Sequence, residues 1–271
     1  MQFVVGFIFG ITIAILAWRV GSLNTSGTLA AALTGGLIFG LGGLPWAALL
    51  LTFFITSSGL SRSFRNQKHL VSEKFSKGSQ RDWGQVLANG GLGTALVILT
   101  ALGLSESGFE GWSWIAYIGA MAAVNADTWA TELGVLNPAP PRLITTGEKV
   151  EPGTSGAVSL YGTLASLAGS VLIGLIAAAF NSSDATLAIV TAAIFGGVVG
   201  SLIDSLLGAS VQAIYYCPAC DKMTERHPLH TCGTDTIHTR GWRWLNNDVV
   251  NFLASLIGAG LALGVWYLIN G

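Results

Sequence analysis

Runs of apolar residues long enough to cross a lipid bilayer constrain this chain more than any other feature. A membrane-spanning helix needs roughly 20 residues. Only 10% of the residues are charged, whereas soluble domains carry roughly 25%. We therefore predict an all-α, polytopic integral membrane protein with about eight transmembrane helices, and exclude an ordinary cytosolic protein. The predicted spans lie at 3–19, 27–41, 44–58, 84–104, 112–136, 157–180, 186–214 and 247–269.

The second and third of these runs are short and are joined by "GLGGLP". They are interpreted either as two short helices or as one re-entrant hairpin. The first run follows no basic residue and lacks a small-x-small cleavage site, so we predict a first span rather than a removable signal peptide. Residues 1–271 are predicted to form one transmembrane domain, with a Cys/His-rich loop at 215–245 inside it.

The distribution of charge predicts the orientation. If the N-terminus lies outside, all 13 basic residues fall on the inner side, and the outer loops carry only Glu106, Glu110 and Asp184. The positive-inside rule then places both termini on the non-cytoplasmic side of a bacterial inner membrane or a plastid membrane. The net charge of −1 argues against nucleic acid as a partner.

Acidic side chains occur near the inner ends of three predicted spans. Asp127 and Glu132 lie in "NADTWATELG", Asp204 in "GSLIDSLLGASVQ" and Asp248 in "NNDVVNFLAS". A carboxylate in hydrocarbon costs roughly 2.5–3.5 kcal/mol on the insertion scale. We therefore expect one shared polar cavity, open to the cytoplasmic side. The neutral polar residues at the same level are Asn89, Thr128, Ser201, Gln212, Asn247 and Asn251.

Gathered carboxylates and amides are typical of a Mg²⁺ site, because Mg²⁺ prefers oxygen ligands and often shares them with phosphate. We predict Asp127, Asp204 and Asp248 as its ligands. "EPGTSGAVS" is a glycine-rich turn before a helix, and helix N-termini bind phosphate. It contributes Gly153 and Thr154. Two alternatives remain: the acids only fix helix packing, or they belong to a transporter.

Two cations flank the proposed cavity. Arg81 precedes the fourth span, and Lys149 precedes the glycine-rich turn. An arginine can hold phosphate through two parallel hydrogen bonds. We predict that both residues bind phosphate groups.

All three cysteines lie in the loop before the last span. Cys217, Cys220 and Cys232 lie close to three histidines, of which His230 is preferred as a fourth ligand over His227 and His238. Three cysteines and one histidine form a standard tetrahedral zinc set, so the loop is interpreted as a small structural zinc site. Metal-free reduced thiols and redox chemistry are the alternatives.

Five motifs occur in a fixed order: "QRDWGQVLANGG", "NADTWATELG", "PGTSGAVSLYGT", "GSLIDSLLGASVQ" and "CPAC…HTCG…GWRWLNNDVVNF". Together they resemble the integral-membrane family described as domain of unknown function 92. That family includes animal transmembrane protein 19 and the plant plastid phytyl-phosphate kinase. The resemblance covers nearly the whole chain after the first span. Ala157 departs from it, where a second glycine is expected.

The resemblance implies a prenyl (phytyl or geranylgeranyl) monophosphate kinase that uses Mg²⁺ and a nucleoside triphosphate, with CTP favoured. The product of the plant member feeds tocopherol synthesis. Asp127, Asp204, Asp248 and Arg81 would be catalytic. The other implied site residues are Asn89, Thr128, Glu132, Lys149, Gly153, Thr154, Ser201, Gln212, Asn247 and Asn251. A CDP-lipid-forming cytidylyltransferase and a transporter are the alternatives. Chain length, nucleotide base and oligomeric state stay open.

Overall fold

The computed structural model describes residues 1–64, 80–106, 108, 111–181 and 185–270. Six of the helices in these ranges, all except α4, are long and apolar enough to cross a membrane. This confirms the predicted all-α, polytopic membrane architecture. The helices are α1 (Gln2–Arg19), α2 (Thr25–Ser63), α3 (Trp83–Ala101), α4 (Trp112–Gly134), α5 (Leu160–Ala179), α6 (Thr186–Ser210) and α7 (Asn247–Asn270). The charged residues Arg65, Lys68, Glu73, Lys74, Lys77, Glu110 and Asp184 lie outside the described residues.

Helix α2 is a hairpin that reverses at Gly43. There φ is 73° and ψ is −162°, a conformation that glycine adopts without steric cost. A straight helix of 39 residues would be about 58 Å long. Instead, Arg62 near its end donates to the carbonyl oxygen of Val20, just before its start, at 2.6 Å. The limbs before and after Gly43 correspond to the runs predicted at 27–41 and 44–58.

Helix α4 forms the centre of the bundle and packs against α2, α3, α5, α6 and α7. Every residue from Ser113 to Ala126 is buried. Its core includes a stack of Trp46 on Tyr117, with ring centroids 4.5 Å apart. Because α4 contacts protein on all sides, it does not need the apolar surface that lipid contact requires. This explains how it tolerates the polar residues at its C-terminal end.

Small residues let α4, α6 and α7 approach closely. A Cβ added to Gly119 or to Gly196 would lie within 2.6 Å of the carbonyl oxygen of Gly258. Membrane helices commonly associate through such small residues. Gly119 and Gly196 precede Asp127 and Asp204 by two helical turns on α4 and α6. The close contact therefore brings the two acidic segments side by side.

The loops contain two small antiparallel sheets that we did not predict. Strands β1 (Arg142–Leu143) and β2 (Ala157–Val158) pair in the α4–α5 loop. The α6–α7 loop forms a sheet of order β4-β3-β5, from β3 (Ile214–Cys217), β4 (Lys222–Thr224) and β5 (Ile237–Arg240). The predicted spans 157–180 and 186–214 were therefore too long, because their terminal apolar residues belong to β2 and β3. We call the second sheet and its turns, residues 214–240, the ribbon.

Candidate active site

A polar cavity of about 410 Å³ opens where the ends of α2 to α7 and the two sheet-bearing loops meet. Eleven of the predicted site residues line it. They are Arg81, Asn89, Asp127, Thr128, Glu132, Gly153, Thr154, Ser201, Asp204, Asn247 and Asn251. The structure thus gathers residues from four helices and two loops at one end of the bundle.

Three acidic side chains form a carboxylate cluster in this cavity: Asp127 on α4, Asp204 on α6 and Glu225 on the ribbon. The negative charges of Asp127 and Glu225 act on Asp204, and the negative charge of Glu225 acts on Asp127. The Oδ2 atom of Asp204 is buried and accepts no hydrogen bond from the described residues. Repelling carboxylates with an unused buried oxygen suit a hard divalent cation such as Mg²⁺.

Glu225 was not predicted, and no spacing in the sequence marks it. Its position depends on Gln212, which donates from Nε2 to Glu225 Oε1 at 2.8 Å. Gln212 Oε1 in turn accepts from Ser155 Oγ at 3.3 Å. Only 1% of Gln212 is exposed, and it does not line the cavity. We predicted Gln212 as a binding residue, but the structure places it behind Glu225 as a positioning residue.

Two other predicted residues are not part of the lining. Asp248 lies in the first turn of α7 between Asn247, which lines the cavity, and Val249. The Oδ1 atom of Asp248 is buried, but Asp248 is not among the residues that line the cavity. Lys149 is exposed and pairs with Arg142 at the sheet in the α4–α5 loop. Neither residue is part of the cavity lining, and the assignment of Asp248 as a Mg²⁺ ligand stays a prediction.

The glycine-rich turn packs against the end of the helix that carries Asp204. Gly153 and Gly156 have φ values of 78° and 81°, and a Cβ on Gly156 would lie 2.4 Å from the backbone nitrogen of Ala209. No described hydrogen bond uses the backbone N–H of Gly153 or Ser155. Both residues line the cavity, and backbone amides in such a turn can bind an anion such as phosphate. Strand β2 and Ser159 separate the turn from the first residue of α5, so these amides are not those of a helix N-terminus.

Arg81 supplies the positive charge of the cavity. Its guanidinium donates to Ser57 Oγ at 2.8 Å and lies 4.9 Å from the ring centre of Phe53. Burial lowers the pKa of Arg81 to about 10, while the nearby charge of Glu132 opposes that shift. Arg81 is therefore charged at neutral pH. Glu132 accepts a hydrogen bond from Ser61 Oγ at 2.5 Å.

A second, apolar cavity of about 250 Å³ adjoins the first, between α1, α2 and α3. Its walls are almost entirely hydrophobic. They include Phe9, Ile13, Ala31, Leu51, Phe53, Phe54 and Val86. Arg81, Gln85 and Asn89 line both cavities. These three residues mark the boundary between the polar and the apolar space, and Gln85 was not predicted.

The ribbon brings together the four residues predicted as zinc ligands. One ligand atom from each of Cys217, Cys220, His230 and Cys232 lies within 4.8 Å of all the others. We call these four residues the Cys/His cluster. The other two histidines pack against a ring instead: His227 stacks on Tyr215 at 4.4 Å and His238 contacts the same ring edge-on.

The thiols of the Cys/His cluster have unequal pKa values. Hydrogen bonding with Thr234, and then with His230, lowers the pKa of Cys232 to about 5. Hydrogen bonding with Cys232 raises the pKa of Cys220 to about 11. All three cysteines are free. The lowered pKa of Cys232 favours its thiolate, which is the form that binds metals.

Comparison with known families decides the classification. The model of the integral membrane protein family DUF92 matches residues 8–259. The chain belongs to the DUF92 family. This membership agrees with the apolar helices and shows that the chain is an integral membrane protein, as we predicted.

Three relatives show how far the similarity extends. Protein PGR of Arabidopsis thaliana is 36% identical over 263 residues, which cover 90% of this chain and 89% of that protein. An uncharacterized membrane protein of Methanocaldococcus jannaschii is 32% identical over 246 residues, or 91% of this chain and 87% of that protein. Protein VTE6, chloroplastic, of Arabidopsis thaliana is 25% identical over 244 residues, or 90% of this chain and 65% of that protein. No solved structure matches this DUF92 chain.

Proposed function

We propose that this DUF92 protein is a Mg²⁺-dependent phosphotransferase that converts a prenyl monophosphate, such as phytyl or geranylgeranyl monophosphate, into the diphosphate. The observation that carries the proposal is the junction of the two cavities at Arg81, Gln85 and Asn89. A prenyl phosphate has the same two parts, an apolar chain and an anionic head. The junction would place the chain between α1, α2 and α3, and the head beside Arg81.

The carboxylate cluster is the part of the cavity that fits Mg²⁺. Asp127, Asp204 and Glu225 would hold the ion, which when bound neutralises phosphate charge during transfer. The lining of one cavity by all three, and the buried Oδ2 of Asp204 that accepts no hydrogen bond from the described residues, support this assignment.

The remaining residues of the cavity would bind and orient the two substrates. Arg81 would hold the acceptor phosphate through its planar guanidinium. The backbone amides of Gly153 and Ser155, which no described hydrogen bond uses, would bind phosphates of the nucleotide. The acceptor phosphate oxygen is already anionic, so the reaction needs positioning and charge neutralisation rather than a strong general base. Thr128, Ser201, Asn247 and Asn251 would complete the polar walls.

The comparisons support a prenyl phosphate as the lipid substrate, but they do not indicate which nucleotide is the phosphate donor. The chloroplast-located relative and the motif resemblance both favour a prenyl phosphate. CTP is favoured because the family resembles polyprenol and phytol kinases, several of which prefer it. The nucleotide would enter from the side of the membrane that the positive-inside rule predicts to be cytoplasmic.

The test uses purified full-length protein in detergent with Mg²⁺. Phytyl or geranylgeranyl monophosphate is supplied with CTP or ATP in separate reactions, and products are identified by mass spectrometry. We expect the lipid diphosphate and the nucleoside diphosphate, and their loss on addition of EDTA. A CDP-lipid with pyrophosphate would instead indicate a cytidylyltransferase. Folded protein with no nucleotide turnover would contradict the enzyme assignment and favour a transporter.

A further inference from the structure

The Cys/His cluster has the dimensions of a tetrahedral zinc site. Zinc bonds of about 2.3 Å to sulfur and 2.0 Å to nitrogen place neighbouring sulfurs about 3.8 Å apart and sulfur and nitrogen about 3.5 Å apart. The Sγ atoms of Cys217 and Cys232 are 3.6 Å apart. Nδ1 of His230 lies 3.3 Å from Sγ of Cys232. These two distances are close to the tetrahedral values, and all four ligand atoms lie within 4.8 Å of one another.

The environment of His230 independently points to a metal. The residue is only 4% exposed, and its Nε2 is buried without a hydrogen-bond partner among the described residues. Its backbone is fixed, because its N–H donates to Thr234 O and its carbonyl accepts from Gly233 N–H, both at 2.9 Å. The buried imidazole lies with Nδ1 3.3 Å from Sγ of Cys232, so Nδ1 is the atom through which His230 would bind a metal.

The Cys/His cluster brackets Glu225 in the sequence. Cys217 and Cys220 precede Glu225, and His230 and Cys232 follow it. Strand β4 ends at Thr224, one residue before Glu225, and pairs with β3, which ends at Cys217. Strands of two to four residues have little stability of their own. A crosslink at the cluster would therefore fix both sides of the segment that presents Glu225.

We infer that the Cys/His cluster is a structural Zn²⁺ site, and that the bound zinc keeps Glu225 in the carboxylate cluster. Zinc closes the ribbon, and the hydrogen bond from Gln212 then directs the Glu225 carboxylate into the cavity. The metal site and its effect on the ribbon stand on this geometry alone. The consequence for phosphoryl transfer rests on the proposed function.

The metal site is tested by the zinc content of the purified full-length chain, measured by mass spectrometry of the elements. We expect about one zinc per chain in the wild type, and only traces in Cys220→Ser and Cys232→Ser. His227→Gln is the matched control, because it removes a histidine of the same ribbon that stacks on Tyr215. Wild-type protein without zinc, or full zinc in both cysteine variants, would overturn the site.

The positioning role is tested on wild-type protein, so that it does not depend on the folding of a variant. Zinc is removed with a chelator selective for zinc over Mg²⁺, and trypsin cleavage after Arg226, the neighbour of Glu225, is followed. We expect cleavage to accelerate at least tenfold and to be suppressed when Zn²⁺ is restored. An unchanged rate would show that zinc does not hold this segment. Neither this assay nor the zinc content requires turnover.

The link to Glu225 is tested by non-additivity. If zinc acts through Glu225, zinc removal should reduce the turnover of the wild type but should not further reduce that of Glu225→Gln. Multiplicative losses would show that zinc acts on another part of the site. A wild type without any turnover would contradict the proposed function while leaving the zinc and trypsin results to decide the metal site.

Discussion

The carboxylate cluster and the Cys/His cluster are built in opposite ways. Asp127, Asp204 and Glu225 come from two helices and a loop, and they meet only because the bundle folds. The four Cys/His residues lie within one stretch, 217–232. The first cluster offers hard oxygens and the second soft sulfurs, which select different metals. A cluster within one short stretch of sequence can therefore be predicted from residue spacing, whereas a cluster assembled from distant segments can be predicted only in part.

The largest expected effect separates the two clusters directly. Asp204→Asn should reduce turnover about 100- to 1,000-fold, the range seen when a group that stabilises transition-state charge is lost. It should leave the zinc content unchanged. The rate of lipid diphosphate formation and the zinc content are measured on the same preparation. Glu148→Gln, an exposed acid in the α4–α5 loop, is the control, and equal rates for the two variants would contradict the account.

Glu225 lies in the ribbon, but its carboxylate belongs to the carboxylate cluster. A substitution at Glu225 therefore tests whether this residue acts in the cavity or supports the ribbon. Glu225→Gln should reduce turnover about 100-fold, because it removes one charge from the Mg²⁺ site. It should keep full zinc, since Glu225 is not a ligand. Loss of zinc together with activity would mean that Glu225 supports the ribbon rather than the cavity.

A smaller effect is expected in the apolar cavity. Ala31→Phe should fill part of the space between α1, α2 and α3. We expect turnover of geranylgeranyl monophosphate to fall about tenfold. Turnover of a ten-carbon prenyl monophosphate should fall less, because a shorter chain loses fewer methylene contacts and each contact contributes only a factor of a few. Both lipids are compared with the same preparation. An equal loss for both chain lengths would argue that the prenyl chain binds elsewhere.

The smallest effect concerns Asp248, which we predicted as a Mg²⁺ ligand and which the structure places outside the cavity lining. Asp248→Asn should therefore reduce turnover much less than Asp204→Asn, by about threefold or less, a range typical of surface and helix-end effects. The Mg²⁺ concentration needed for half-maximal rate should also change little. A loss as large as that of Asp204→Asn would restore Asp248 to the carboxylate cluster.

Sequence reasoning predicted the spans because hydropathy and span length are local properties. It also predicted Asp127 and Asp204, since a membrane carboxylate needs a polar environment. It did not predict the role of Asn125 in the same motif. This residue joins two helices, because its Nδ2 donates to the carbonyl oxygen of Gly169 on α5 at 2.8 Å. Glu225 was missed because a charged loop residue carries no burial signal until the ribbon folds over the cavity.

The small sheets were missed for a similar reason. Their strands have two to four residues, too few for an alternating pattern to be visible. We preferred His230 over the other two histidines as the fourth ligand, and the structure agrees, because His230 lies with the three cysteines while His227 and His238 pack on Tyr215. The orientation of the termini stays a prediction of the positive-inside rule.

The central claim is that this cavity transfers a phosphoryl group to a lipid phosphate. It is tested most directly with CTP labelled at the γ-phosphate, geranylgeranyl monophosphate, Mg²⁺ and the purified protein. The account predicts that the label appears in the terminal phosphate of the lipid diphosphate for the wild type and not for Asp204→Asn. Label in pyrophosphate, or label remaining in CTP while folded protein and lipid are present, would contradict it.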